Sequence, residues 1–132
     1  MLDTKYVYCV AQKAIIRIND TYLVLKRSKD AKVYPSYWDF AGGKIEHGEN
    51  HKDALAREVK EETGIEILVE DSEFIYIEED VGHAYCVLFG CEKSKGEVKL
   101  SSEHTEFKWV TKEQALKLKL EPYLKEFFES ID

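Results

Sequence analysis

The segment from Gly43 to Ile65 constrains the fold of this chain more than any other, because it combines a helix-compatible run with closely spaced carboxylates. Glu58, Glu61 and Glu62 occupy positions i, i+3 and i+4, which places them on one face of a helix with Cβ atoms roughly 5–6 Å apart. Like charges at this spacing destabilise a helix unless water screens them or a cation neutralises them. The face therefore predicts either a solvated surface or a site for a hard divalent cation, which prefers oxygen ligands.

The residues around these glutamates separate the two interpretations. The segment fits the pattern G-x5-E-x7-R-E-U-x-E-E-x-G-U, in which U is aliphatic, at every fixed position. Those positions are Gly43, Glu49, Arg57, Glu58, Val59, Glu61, Glu62, Gly64 and Ile65. In this pattern the chain resembles the Nudix hydrolases, and residues 43–65 are called the Nudix box below. The resemblance implies that Mg²⁺, or Mn²⁺, is held against the pyrophosphate of a small-molecule nucleotide substrate, which water cleaves.

Composition narrows the class of protein further. A chain of 132 residues with a formal net charge of −7 suits one domain over 1–132, and the negative charge opposes binding to polynucleotides. No apolar run approaches the ~20 residues of a membrane span and no signal-peptide pattern opens the sequence, so we expect a cytoplasmic protein with no membrane partner. The cysteines Cys9, Cys86 and Cys91 match no C-x-x-C pattern and are expected to be reduced core residues. A monomer and a homodimer are both compatible with the long apolar first strand.

Apolar periodicity and turn residues predict an alternation of strands and helices. Strands are predicted over 6–18, 21–26, 66–77, 83–91, 97–100 and 107–110, and helices over about 51–63, 111–118 and 122–131. Asn50 and Gly64 are expected to cap the first of these helices. This pattern alone indicates a mixed α/β or α+β fold. The resemblance implies the Nudix-type α/β/α sandwich with a mixed sheet and a loop-helix-loop metal site.

The resemblance also assigns roles within and beside the box. Glu58, Glu61 and Glu62 are expected to bind the metal, together with the backbone carbonyl of Gly42. Arg57 is expected to orient a carboxylate.

A bidentate pair between Arg57 and Glu49 would provide that orientation, and Glu49 is expected to support the site rather than to bind metal. The segment 101–110 resembles the position at which MutT-like members supply a further glutamate. Glu103 fits this position as a metal ligand, with Glu106 as the substitute candidate. The general base is Glu58 or Glu103, and His104 either assists the substrate or caps its loop.

The approach to the box, residues 37–46, resembles that of MutT-like nucleoside triphosphate pyrophosphohydrolases, which release a nucleoside monophosphate and pyrophosphate. The resemblance implies that Trp38 and Phe40 stack on the base, although aromatic residues of a strand more commonly pack in a core. Gly43 and Lys44 are the other expected substrate contacts.

One position departs from the best-known MutT enzymes. Leu120 stands before Glu121-Pro122, where those enzymes carry an asparagine that reads a purine, so the purine-reading amide is missing. This departure weighs against narrow specificity for an oxidised guanine. An ADP-ribose hydrolase, a dinucleoside polyphosphate hydrolase and a nucleotide sensor without turnover are the alternatives.

Overall fold

The computed structural model describes residues 8–79 and 83–132. Its strands are β1 (Cys9–Ile18), β2 (Thr21–Arg27), β3 (Trp38–Asp39), β4 (Gly42–Lys44), β5 (Glu66–Glu78), β6 (Ala84–Lys95) and β7 (His104–Val110). Its helices are α1 (His51–Thr63), α2 (Lys112–Ala115) and α3 (Pro122–Ser130). The first two residues of the strand predicted over 6–18, and residues 80–82 between the strands predicted over 66–77 and 83–91, lie outside the described residues.

The strands form one mixed sheet. Its order is β3-β2-β1-β6-β5, while β4 pairs with β1 and β7 pairs with β2. β1 and β6 run parallel, and the other pairs are antiparallel. The prediction of a mixed sheet is confirmed.

Helices cover both faces of this sheet, because the central strand β1 alternates its apolar side chains. Ile15 points into a cluster with Phe127 and Phe128 of α3, whereas Ala14 and Ile16 point into a second cluster on the side of α1. Each large side chain so buried contributes roughly 1.5–3 kcal/mol. The resulting layers form the predicted α/β/α sandwich.

The caps of α1 fix where the Nudix box begins and ends. The Asn50 side chain accepts hydrogen bonds from the N–H groups of Lys52 and Asp53, at 3.0 and 3.2 Å. At the other end Gly64 has φ of 75°, and its N–H donates to the Lys60 carbonyl at 2.9 Å. The left-handed region suits glycine, so the sequence prediction of a helix over 51–63 is confirmed.

The strand predicted over 97–100 is wrong. Residues 97–101, called the crossing segment below, instead run past the C-terminus of α1. The N–H of Lys99 donates to the Thr63 carbonyl at 2.8 Å, and the N–H of Ser101 donates to the Glu62 carbonyl at 3.1 Å. Val98 packs against the core on the α1 side, which explains the strand-like alternation in the sequence. The segment therefore satisfies helix-end carbonyls rather than a sheet.

Other predicted features differ in detail. Cys9 is exposed, so its prediction as a core residue is wrong, whereas Cys86 and Cys91 are buried. β7 begins at His104 instead of residue 107. α2 ends early because the chain beyond it turns to pair with Trp38, whose N–H donates to the Lys119 carbonyl at 2.8 Å. Across residues 8–79 and 83–132, no helix has the length and apolar character needed to cross a membrane.

Candidate metal centre and the adjoining pocket

The three glutamates on one face of α1 lie in different environments. The Glu61 side chain is 59% exposed, that of Glu58 is 21% exposed, and Glu62 as a residue is only 5% exposed. Glu62 lies on the same flank of the helix as Leu55 and Val59, which pack in the core. Burying an unpaired charge is expensive, so a merely solvated face would not turn one carboxylate inward. The face is therefore better explained as a ligand site.

Glu62 is the most strongly perturbed of these glutamates. Its Oε1 accepts a hydrogen bond from the Gly42 N–H at 3.2 Å. Burial raises the pKa of Glu62 to about 8, against the opposing effect of Lys13 and of this hydrogen bond. A cation beside the carboxylate would reverse the shift by stabilising the ionised form. The donor set at this point consequently fits a metal ion.

The two glycines of β4 allow the loop to lie against both β1 and α1. A Cβ atom at Gly42 would lie 2.0 Å from the Gln12 carbonyl oxygen. A Cβ atom at Gly43 would lie 2.9 Å from both Cδ and Oε2 of Glu58. Side chains at either position would therefore displace the strand or the carboxylate. Metal binding by the Gly42 carbonyl itself stays a prediction.

Arg57 joins the carboxylates on the outer side of the site. Its Nη2 donates to both carboxylate oxygens of Glu49, at 3.1 and 3.0 Å, and its Nε donates to Glu49 Oε2 at 3.2 Å. Its Nη1 donates to Glu61 Oε1 at 3.2 Å and lies 3.4 Å from Glu58 Oε1. The hydrogen bonds that Arg57 donates to Glu49 and then to Glu61 raise the pKa of Arg57. The predicted Arg57–Glu49 pair is present, and Glu61 is tied to this pair rather than to Glu62.

The residues just before β7 complete the inner side of the site. Glu62, Glu103 and His104 each offer one ligand atom, and these three atoms lie within 4.8 Å of one another. Burial, followed by the charges of Glu61 and Glu103, raises the pKa of Glu58 despite the opposing effect of Arg57. Glu103 therefore lies close enough to interact with both Glu58 and Glu62.

The substitute candidate Glu106 lies elsewhere, with its carboxylate 3.4 Å from Lys26 Nζ. Of the predicted metal ligands, the structure thus brings together Gly42, Glu58, Glu62 and Glu103. Glu61 lies at the exposed edge of this cluster. Carboxylates that repel one another and resist ionisation suit Mg²⁺ or Mn²⁺, which take oxygen ligands.

A pocket of about 400 Å³ adjoins this cluster. Gly42, Gly43 and Lys44 form one side, and the rest is lined by residues of β1, β2, β5 and β6, by residues 33–34 and His83, and by Glu121 and Tyr123. The pocket is large enough for a nucleoside-sized group. Its position next to the two glycines places it beside the carboxylates.

A buried network of charges lies under the pocket and was not predicted from the sequence. Asp39 is 1% exposed, and its Oδ2 lies 3.1 Å from Lys13 Nζ and 3.2 Å from Arg27 Nη1. The Tyr123 hydroxyl donates to Asp39 Oδ1. Burial would raise the pKa of Asp39, but the positive charge of Lys13 and the hydrogen bond from Tyr123 hold it well below its usual value. Lys13, one of two charged residues in the mostly apolar strand β1, was the sequence signal for this network.

Glu121 faces the same network with a different charge state. Its Oε2 is buried and has no hydrogen-bond partner among the described residues. Burial and the neighbouring charge of Asp39 raise the pKa of Glu121 to about 9. The network under the pocket therefore combines an ionised carboxylate at Asp39 with a protonated one at Glu121 at neutral pH.

Trp38 and Phe40 lie in the core. Trp38 is 5% exposed and Phe40 is 0% exposed, and neither lines the pocket. The Phe40 ring makes edge contacts with Phe127 and Phe128, with centroids 5.7 and 5.8 Å apart. A base-stacking role for these residues stays a prediction, and the structure leaves the Phe40 ring no exposed surface for it.

Comparisons with known proteins place the chain among related sequences and structures. The family described as NUDIX domain matches residues 8–131. The protein "Nucleoside triphosphatase NudI" of Escherichia coli O139:H28 is 28% identical over 111 residues, which cover 75% of this chain and 79% of that protein. The crystal structure of a MutT protein from Methanosarcina mazei Go1 has 34% identity and a TM-score of 0.85, covering 92% of this chain and 91% of the other. The solution structure of the E. coli ORF135 protein has 27% identity and a TM-score of 0.78, covering 98% and 92%.

Proposed function

The chain belongs to the Nudix domain family, and on that premise we propose that it is a Mg²⁺-dependent, MutT-like pyrophosphohydrolase of nucleoside triphosphates. The proposed products are a nucleoside monophosphate and pyrophosphate. One observation carries the proposal. The buried carboxylate of Glu62 accepts a hydrogen bond from the N–H of Gly42. Gly42 and Gly43 also line the pocket that would receive the nucleoside.

The names of the relatives support this choice of substrate. The similar E. coli protein is described as a nucleoside triphosphatase, and the similar M. mazei structure as a MutT protein. The missing purine-reading amide before Glu121 argues against narrow specificity for an oxidised guanine. We therefore propose a nucleoside triphosphate without choosing the base.

The residues divide the work of the proposed reaction between them. Glu58, Glu62 and Glu103 would hold the cation, which when bound supplies positive charge to phosphate oxygens and lowers the pKa of water. Lys44, on the rim of the pocket, would contact the phosphates. Glu58 or Glu103 would accept the proton of the attacking water, since both lie at the same cluster. Arg57 and Glu49 would keep the outer carboxylates in position.

A panel assay tests the substrate class. We would incubate the protein with Mg²⁺ or Mn²⁺ and with (d)NTPs, 8-oxo-dGTP, ADP-ribose and dinucleoside polyphosphates, and identify products by chromatography. We expect at least one nucleoside triphosphate to give a nucleoside monophosphate and pyrophosphate. Faster cleavage of ADP-ribose or a dinucleoside polyphosphate would overturn the substrate class. Tight nucleotide binding without product would indicate a sensor and overturn the enzyme mechanism.

Two substitutions test the site. Glu58→Gln and Glu62→Gln should each lower turnover by at least ~10²-fold, because each removes a charged oxygen from the proposed centre. Glu126→Gln on α3 is the matched control, since that residue is exposed on a helix that contributes nothing to the cluster. Unchanged rates in both of the first two variants would exclude the assigned site.

The remaining sequence predictions are part of the same proposal. We propose one domain over 1–132 that acts in the cytoplasm as a monomer or homodimer, on a small nucleotide rather than a polynucleotide. Size-exclusion chromatography with light scattering would determine the oligomeric state. Adding an oligonucleotide to the substrate panel would test whether the protein acts on a small nucleotide rather than a polynucleotide.

A further inference from the structure

The imidazole of His104 has no use in the mechanism above, although it is buried at the site. Its side chain is 3% exposed, and neither ring nitrogen has a hydrogen-bond partner among the described residues. Leaving a buried polar group unpaired is energetically unfavourable, and native proteins rarely do so. The ring is therefore placed for a partner that residues 8–79 and 83–132 do not provide.

The surroundings of His104 indicate what that partner is. One ligand atom of its ring lies within 4.8 Å of a carboxylate oxygen of Glu62 and of one from Glu103. Donor atoms around a single ion with bonds of about 2.1 Å lie up to about 4.2 Å apart, so small shifts would close this set around a cation. Two carboxylates and one neutral imidazole are a donor set that divalent metals accept.

We infer that His104 is itself a metal ligand, which supplies a nitrogen donor beside the carboxylates of Glu62 and Glu103. The inference rests on the proposed function, since it requires a divalent cation at this cluster. With this nitrogen donor, the metal centre would have a mixed set of oxygen and nitrogen ligands. Imidazole suits Co²⁺, Zn²⁺ and similar ions better than Mg²⁺, which is bound mainly by oxygen.

The carboxylate of Asp39 lies next to the His104 ring, beyond hydrogen-bonding distance of it. Metal-bound imidazoles usually donate their other N–H to a carboxylate, which fixes the orientation of the ring. His104 Nε2 lies 4.0 Å from Asp39 Oδ2, and Lys13 and Arg27 keep that carboxylate ionised. The alternative is an ion pair in which a protonated His104 serves only to balance Asp39.

Pulsed electron paramagnetic resonance of bound Mn²⁺ distinguishes these alternatives without measuring activity. The wild-type protein should show the ¹⁴N modulation of a directly bound imidazole. His104→Gln should abolish it, whereas His51→Gln should retain it, because His51 is an exposed residue at the start of α1. Mn²⁺ that binds without this modulation would overturn the inference and leave the proposed function intact. Absence of both Mn²⁺ binding and turnover would overturn both.

A set of reciprocal variants protects the assignment if His104→Gln does not fold. The chain has four histidines, and the other substitutions are His47→Gln, His51→Gln and His83→Gln. Persistence of the ¹⁴N modulation in all three assigns it to His104. Its loss in any one of them would overturn the inference.

Metal preference gives an independent measurement. In competition with Mn²⁺, His104→Gln should weaken Co²⁺ binding by about 10-fold or more, and Mg²⁺ binding by clearly less. Equal weakening for both ions would indicate a packing role and would overturn the inference.

Discussion

At the scale of single residues, Glu58, Glu61 and Glu62 show how one helix face provides three different environments. Glu61 is held by Arg57 at the exposed rim, Glu58 lies against Gly43, and Glu62 is buried against Gly42. A triplet that appears uniform in the sequence thus separates into a rim residue and two inner carboxylates.

Gly43→Ala tests how closely Glu58 depends on its neighbour. The added methyl would lie 2.9 Å from the Glu58 carboxylate, so the carboxylate must move. We expect the Mn²⁺ affinity to fall about 10-fold, as for other disturbances around a ligand. In a Glu58→Ala background the same change should have little further effect, because the colliding group is gone. Additive losses in calorimetric titrations would contradict this explanation.

Glu121→Gln tests the protonated carboxyl under the pocket. The pKa of Glu121 is raised from 4.5 to about 9, so between these pH values the unfolded chain releases a proton that the folded chain retains. Stability due to this group is therefore complete at low pH and decreases as pH rises towards 9. Glutamine cannot ionise, so the fall in unfolding free energy with pH should be shallower by up to about 1.4 kcal/mol per pH unit.

Urea unfolding of both proteins between pH 6 and 8.5, with a chelator present, measures that slope. Glu126→Gln, an exposed carboxyl on the same helix, serves as the control and should keep the wild-type slope. An unchanged slope in Glu121→Gln would show that its carboxyl ionises normally in the folded protein.

At the scale of elements, the caps of α1 determine where its carboxylates lie. Gly64→Ala should destabilise the protein by about 1–2 kcal/mol, because φ of 75° is unfavourable for a side chain. Gly64→Asn should destabilise the protein less than Gly64→Ala does, since asparagine tolerates this conformation. Thermal and denaturant unfolding measure both. Equal losses would indicate that contact with the crossing segment dominates instead, since the Glu97 carbonyl oxygen would lie 3.3 Å from a Cβ atom added at Gly64.

The elements also show which features the sequence could predict. α1 was predictable because its caps, its apolar flank and its carboxylates are all local in the chain. The crossing segment was not, because the alternation around Val98 is the same whether a segment pairs in a sheet or packs one face on a core. The network of Lys13, Arg27 and Asp39 depends on the register of β1, β2 and β3, which no local pattern specifies.

At the scale of the whole molecule, the family and the reaction class were the firmest predictions. The Nudix domain match confirms a hydrolase of phosphoric anhydride bonds, and the mixed sheet between helices confirms the fold. The family and the reaction class both follow from the Nudix box, because residues 43–65 match its pattern at every fixed position. The pocket is lined by residues of β1, β2, β4, β5 and β6, of the loop before β3 and of the start of α3, so the base that it accepts could not be inferred from a contiguous motif.

Metal binding should stabilise the whole fold. A cation that binds only the folded protein adds about 2.7 kcal/mol at a concentration 100 times its Kd. Mn²⁺ should therefore raise the Tm by several degrees relative to a chelator, and Glu62→Gln should lose most of that shift. Glu126→Gln should keep it. The same Tm with metal and with chelator would indicate that no cation binds under these conditions.

The two hydrogen bonds from the crossing segment to α1 have a consequence for how this molecule tolerates change. Because the N–H groups of Lys99 and Ser101 bind the carbonyls of Thr63 and Glu62, Glu103 and His104 are aligned by the end of the helix itself. The β5–β6 hairpin that separates them along the chain does not set their spacing in space. A single residue inserted between 97 and 103 should therefore displace Glu103 and His104 from the end of α1 and disable catalysis.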